Sequence, residues 1–170
     1  MEGTDVFDLL AATGPFAEYA DKLTLYGQFV GSWDIDGTWY EREGGQRKGT
    51  GEWHFAWILG GRGIQDVLFA SRACPDRFGT TVRCYDAAAD AWHVVWMQPY
   101  GGEFVHLVGR QVGDQIVQEV VGSDPGRRER WSFTDIAPDT FAWLGEVSLD
   151  DGATWFLEQE MRATRRAVRR

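Results

Sequence analysis

Gly51-Glu52-Trp53-His54-Phe55-Ala56-Trp57-Ile58-Leu59-Gly60-Gly61-Arg62-Gly63-Ile64-Gln65-Asp66-Val67 holds two alternating apolar runs on either side of a glycine pair. Trp53, Phe55, Trp57 and Leu59 recur at every second position, with Glu52, His54, Ala56 and Ile58 between them. A period of two places the first set on one face of a strand and the second on the other. Gly60-Gly61 suits a two-residue hairpin turn, because the primed turns that match strand twist need positive φ. A second strand, Gly63–Arg72, follows, with Ile64, Asp66, Leu68 and Ala70 opposite Gln65, Val67, Phe69 and Ser71.

The pattern extends in both directions. Aromatic and β-branched runs at Phe29–Tyr40, Gly49–Leu59, Gly63–Arg72, Thr80–Asp86, Ala91–Gln98, Glu103–Arg110, Gln115–Val121, Arg130–Ile136, Phe141–Ser148 and Thr154–Arg162 read as strands. Turn residues separate them, including Cys74-Pro75-Asp76, Gly113-Asp114, Asp124-Pro125-Gly126 and Asp151-Gly152. The connections are too short for crossover helices, so a parallel sheet is excluded. The fold class is all-β. The expected architecture is an antiparallel up-and-down meander barrel of eight to ten strands, closed on itself so that no edge is exposed. A β-sandwich is the alternative.

At 170 residues the chain is expected to form one domain. Residues 1–28 have helical rather than strand periodicity. Thr4 or Asp5 can cap a helix through about Ala12, Gly14-Pro15 breaks it, and Pro15 can open a second helix carrying Phe16, Tyr19, Ala20 and Leu23. This segment is expected to plug a barrel spanning residues 29–163, followed by an Arg-rich, solvated tail, 164–170.

All 26 acidic residues lie at or before Glu160, whereas Arg162, Arg165, Arg166, Arg169 and Arg170 follow it. Residues 1–161 thus hold twelve basic against 26 acidic residues, a charge of −14. Such a body repels phosphate backbones, so no nucleic-acid partner is expected. No apolar run approaches the ~20 residues of a membrane span. Met1 to Leu10 carries acids and no basic start, so a secretory leader is not expected and a cytoplasmic location is. Cys74 and Cys84 are too few for a disulfide framework or zinc knot. His54, His93 and His106 fall in no metal-ligand spacing. No metal and no cofactor are expected.

Gly31-Ser32-Trp33 opens the first strand after the helical segment, and this G-x-W placement resembles the lipocalin and calycin barrels. The resemblance implies that the Trp closes the barrel floor and that a late Arg, Arg162 or Arg165, lies across its face, a favourable cation–π contact. The chain from about Phe29 to Ala163 also resembles a family of bacterial lipocalin-like barrel proteins to which no common activity is attached. That resemblance is carried by Gly51 to Trp57, Gly61 to Val67, Val82-Arg83-Cys84-Tyr85-Asp86, Ala91-Trp92, Val108-Gly109-Arg110 and Ile116-Val117-Gln118-Glu119. The nitrobindin-like haem barrels share a longer G-x-W-x-G-x-G pattern. Here Ile35 replaces its middle Gly and no His follows His106, where their proximal ligand lies, so haem is disfavoured. Ser148-Leu149-Asp150-Asp151-Gly152-Ala153-Thr154-Trp155 resembles the Asp-box of sialidase propellers, which implies a hairpin turn and not a catalytic site.

Polar residues within apolar strands mark where chemistry can reside, because a buried charge must be paired or bound. They include His54, Gln65, Asp66, Arg83, His106, Gln118, Glu119, Arg130 and Glu158. Asp66 or Glu119 against Arg83 or Arg130 would form internal pairs. The leading function is binding of a small hydrophobic or aromatic molecule in the barrel interior, with Arg83, Tyr85, Trp96, Trp143, Gln65, His106 and Arg130 as binding residues. The alternative is a cofactor-independent cyclase or isomerase acting on a polyketide-like or other natural-product intermediate, with Asp66, His54 and Glu119 as its acid–base groups. A barrel filled by its own side chains is the third reading. Strands apolar on both faces also allow a homodimer.

Overall fold

The computed structural model describes residues 10–69 and 78–167. All ten expected strands form: β1 (Gly31–Tyr40), β2 (Gln46–Ile58), β3 (Gly63–Phe69), β4 (Gly79–Asp86), β5 (Ala91–Gln98), β6 (Glu103–Val112), β7 (Gln115–Val120), β8 (Arg128–Ala137), β9 (Thr140–Ser148) and β10 (Phe156–Arg165). Each pairs antiparallel with its neighbour in sequence. β1 also pairs with β10, from Trp33 opposite Arg165 to Trp39 opposite Gln159. That last ladder closes the sheet into a ten-stranded meander barrel and removes the sandwich alternative.

A 3-10 turn, Ala17–Tyr19, leads into helix α1 (Ala20–Gly27). Eight residues are too few to hold a helix in isolation. Burial of Leu23 and Tyr26, three apart on one face, holds this one against the barrel end. The helix starts later than Pro15 because Phe16 stays extended, its N–H donating to the Gly61 carbonyl at 3.0 Å. Most of the first expected helix, and Cys74, lie outside the described residues. Where that helix was expected to end, Ala12 N–H donates to the Trp57 carbonyl at 3.1 Å. Among the described residues, no helix is long and apolar enough to cross a membrane.

The turn after β2 differs from the two-residue hairpin expected at Gly60-Gly61. Ile58 pairs with Gly63, leaving a connection of Leu59 to Arg62. Leu59, Gly60 and Gly61 all have positive φ, at 55°, 62° and 82°. A Cβ on Gly61 would sit 2.2 Å from the Gly14 carbonyl, so the incoming chain crosses directly over this loop and sets its shape. The Gly113-Asp114 turn forms as expected between the paired Val112 and Gln115, with Gly113 at φ 64°.

The hairpin before β10 has the Asp-box construction. Asp150 accepts from Thr154 N–H at 2.8 Å and from the Thr154 and Ser148 hydroxyls, while Ser148 Oγ accepts from Gly152 N–H at 2.8 Å. These donors lower the Asp150 pKa to about 2. Trp155 Nε1 donates to the Gly152 carbonyl at 3.1 Å.

One end of the barrel is packed solid. Phe29 stacks on Phe133 at 4.7 Å and lies 4.8 Å from Phe141, which meets the edge of Trp33 at 4.7 Å. Tyr26 of α1 meets Trp92 at 4.8 Å from the same side. Arg165 lies across Trp33, as the G-x-W resemblance implied, with Cζ 4.0 Å from the ring centroid. Arg162 instead faces outward and pairs with Glu160. The C-terminal strand continues through Arg165, and Arg166 binds Asp34 and Glu52 at 2.7 Å each.

Candidate functional site

The alternation of β2 resolves with Trp53, Phe55 and Trp57 inward and buried, so Glu52 and His54 face outward. The same rule turns Asp66 and Leu68 of β3, Thr81 and Arg83 of β4, and Trp96 of β5 into the lumen. Beyond the aromatic plug, the other half of the lumen is an open cavity of about 320 Å³. Trp39, Trp53, Trp96, Trp131 and Trp143 line it, with Leu68, Thr81 and Met161.

Glycines keep these indoles against the wall. A Cβ on Gly79 would lie 2.1 Å from the Trp96 ring, and one on Gly145 would lie 2.9 Å from Trp143. Gly37 does the same for Trp39, at 2.8 Å. Each ring occupies the space a neighbouring side chain would take, and the lumen stays hollow.

The inner end of the cavity is polar. Arg83 is 2% exposed and its guanidinium donates to the Asp66 carboxylate at 2.5 Å. Asp66 also accepts from Thr81 N–H at 3.1 Å. Arg83 rests on the plug, 5.2 Å from the Tyr26 ring centroid and 5.6 Å from that of Phe55. Tyr26 donates to Gln118 Oε1 at 3.2 Å, and burial pushes its phenol well above the usual range. Three buried N–H groups, on Trp53 Nε1, Arg83 Nε and Gln118 Nε2, have no acceptor among the described residues. A buried donor without a partner is unusual enough to require a reason.

The outer end is acidic. Glu103, Glu129 and Glu158 reach the cavity, and Glu103 accepts from Trp96 Nε1 at 3.1 Å. Arg127 pairs with Glu129 at 2.6 Å. Glu146, also at the cavity edge, is held by Arg130 at 2.8 and 3.2 Å.

Of the ten residues expected to form the site, Arg83, Trp96 and Trp143 line the cavity and Asp66 is bonded to its inner end. Tyr85 shares the inward face of Arg83 but sits at the plugged end, where its hydroxyl donates to Asp90 at 2.7 Å. Asp90 also holds Lys22 of α1 at 2.7 Å, so Tyr85 belongs to a latch for the helix. Five residues depart from the expected inward placement. His54 lies outside, bonded to Ser32 at 2.9 Å and Glu52 at 3.3 Å. Gln65 bonds Thr80 on the outer face. His106 stacks on His93, with Nε2 and Nδ1 3.2 Å apart, on the exterior. Glu119 is exposed on β7. Arg130 is external, packed over Trp155 at 4.0 Å. Long polar side chains find water and partners outside a barrel, so alternation alone leaves their side open.

Trp39, Trp53, Trp131 and the rim glutamates were not among the expected site residues. Trp53 was legible, since it leads the most aromatic face of β2. Among the described residues no three His, Cys, Asp or Glu side chains group as metal ligands.

This geometry defines a lipocalin-like barrel, plugged at one end and hollow at the other. No protein-family profile matches the chain, and no curated protein matches its sequence. Solved structures share the fold. The crystal structure of Rv2717c from M. tuberculosis is similar with a TM-score of 0.56 at 15% identity, over 87% of this chain and 99% of that one. The S-type phycobiliprotein lyase CPES of Guillardia theta is similar with a TM-score of 0.60 at 9% identity, over 91% of this chain and 100% of that one. At such identities the likeness establishes the lipocalin-like barrel fold.

Proposed function

We propose that the protein binds a small, flat, hydrophobic or aromatic molecule in the tryptophan-lined half of its barrel. The observation that carries this reading is the cavity itself, about 320 Å³ held open by glycines that seat its indoles. Packing alone would have filled that space, as it filled the other half. Indole walls offer stacking surface, and each aromatic contact adds about 0.5–1.5 kcal/mol beyond burial. The unpartnered N–H groups of Trp53 and Arg83 call for an acceptor oxygen at the ligand's inner end. A neighbouring fold described as a phycobiliprotein lyase is in keeping with a barrel that handles a small molecule.

The cyclase or isomerase reading has less support. Of its three groups His54 and Glu119 face away from the lumen, and Asp66 is already engaged by Arg83 and Thr81 N–H. A homodimer and a cytoplasmic location remain expectations of the sequence.

Titration with N-phenyl-1-naphthylamine, followed by tryptophan quenching, tests the binding reading. Saturable quenching at one site, weakened about tenfold or more in Trp143→Ala, is expected. Linear, non-saturable quenching across the accessible range, in protein that melts cooperatively, overturns it.

A further inference from the structure

We infer that the ligand carries a positive charge at the end that lies in the cavity mouth. This rests on the cavity being a ligand site and names the chemical class that the site takes.

Successive indoles surround the cavity at steep angles. Trp53 and Trp143 are 6.5 Å apart at 79°, Trp143 and Trp131 5.6 Å at 61°, and Trp131 and Trp96 6.4 Å at 83°. A cation is held by the face of an indole, within about 6 Å of its centroid, and rings inclined to one another leave faces turned in several directions around the cavity. The charges agree with this. Among the described residues Arg83 is the only basic side chain lining the cavity, and Asp66 neutralises it at the inner end. At the mouth, Glu129 and Glu146 are compensated by Arg127 and Arg130. Among the described residues, Glu103 accepts only the neutral indole N–H of Trp96, and Glu158 has no cationic partner. Among the described residues two carboxylates therefore stand uncompensated beside a set of tryptophans, in a chain of net charge −9. The site bears an independent mark of a ligand in the buried, acceptor-less N–H groups of Trp53 and Arg83, both 2% exposed and both lining the cavity.

The ligand class is thus an amphiphile with a flat apolar body, an oxygen acceptor at the inner end and an amine or quaternary ammonium group at the outer end. An anionic head group meets the rim carboxylates and is repelled.

Three probes of matched shape separate charge from fit: trimethyl(2-naphthyl)ammonium, neutral 2-tert-butylnaphthalene and naphthalene-2-sulfonate. Equilibrium dialysis at low salt should give the ammonium about tenfold tighter binding than its neutral isostere, with the sulfonate weakest. In Glu103→Gln/Glu158→Gln the ammonium should lose most of that advantage while the neutral probe binds as before. The amide oxygen introduced by Glu103→Gln can still accept from Trp96, so the wall is preserved. Equal affinities for the three probes, or tightest binding of the sulfonate, overturns the charge assignment and leaves the cavity reading standing. Saturable binding of none of them overturns both.

Discussion

Arg83 and Asp66 form an ion pair inside the barrel, 2% and 1% exposed, where the aromatic plug ends and the cavity begins. They lie diagonally across the β3–β4 ladder, Ile64 being opposite Arg83 and Thr81 opposite Asp66. Each makes burial of the other tolerable. A charge left alone there would have to be carried in an apolar site.

Removing one partner is therefore expected to cost far more than removing both. Asp66→Asn should destabilise the barrel by about 3–5 kcal/mol in urea unfolding, because Arg83 stays buried and charged. The double variant Asp66→Leu/Arg83→Met should recover most of that loss. A double variant no more stable than Asp66→Asn would show that the pair stabilises the fold more than apolar packing at the same positions does.

Arg165 should resist conservative replacement. Its guanidinium covers Trp33 and donates to the carbonyls of Pro138, Val30 and Gln28 at 2.9, 2.9 and 2.8 Å. A lysine keeps the charge but has no planar fork to reach three carbonyls while stacking on the indole. Arg165→Lys is expected to lose about 1–2 kcal/mol and Arg165→Ala about 2–3 kcal/mol, read as shifts in urea midpoint. Equal stability of Arg165→Lys and the parent would refute the role of the planar group.

Gly79 is expected to report on the cavity directly. The Cβ of Gly79→Ala falls 2.1 Å from the Trp96 ring, so the indole has to leave its seat on the wall. Strain of this kind costs about 1–3 kcal/mol. N-phenyl-1-naphthylamine should bind more weakly in this variant, and Trp96 should show a changed near-ultraviolet circular dichroism. By contrast, His54→Ala and Glu119→Gln should leave probe affinity within about twofold, since removal of an external side chain has small effects on a distant site.

Asp150 should titrate with a midpoint of about 2, well below the ordinary carboxylate value of 3.8, in carboxyl-resolved NMR. Hydrogen bonds from Thr154 and Ser148 favour its ionised form. A depressed folded-state pKa means that its stabilising contribution is full above about pH 4 and is lost as pH falls toward about 2. In Thr154→Val the midpoint should move up toward the ordinary value, because one hydroxyl donor is gone.

The number, order and adjacency of the strands were legible because they rest on local physics. A period of two, aromatic and β-branched residues, and turn chemistry act over a few residues, and short connections force neighbours to pair. The Asp-box turn and the Gly113 hairpin were readable for the same reason, and Trp33 with a late arginine followed from motif placement. The Gly60-Gly61 turn was not, because residues 14–16, distant in sequence, cross over it.

Alternation names two faces of each strand and gives neither a sign. His54 and Trp53 differ by one position, yet only closure of the sheet around the Phe29, Phe133 and Phe141 plug decided that the indole went in and the imidazole out. The hollow half of the lumen depends on Gly79 meeting Trp96 and Gly145 meeting Trp143, contacts made across the sheet by packing. The sequence determined a closed aromatic barrel because its signals are local. The position of its cavity, and which charges face it, depended on packing between strands far apart in the chain, which only the folded structure establishes.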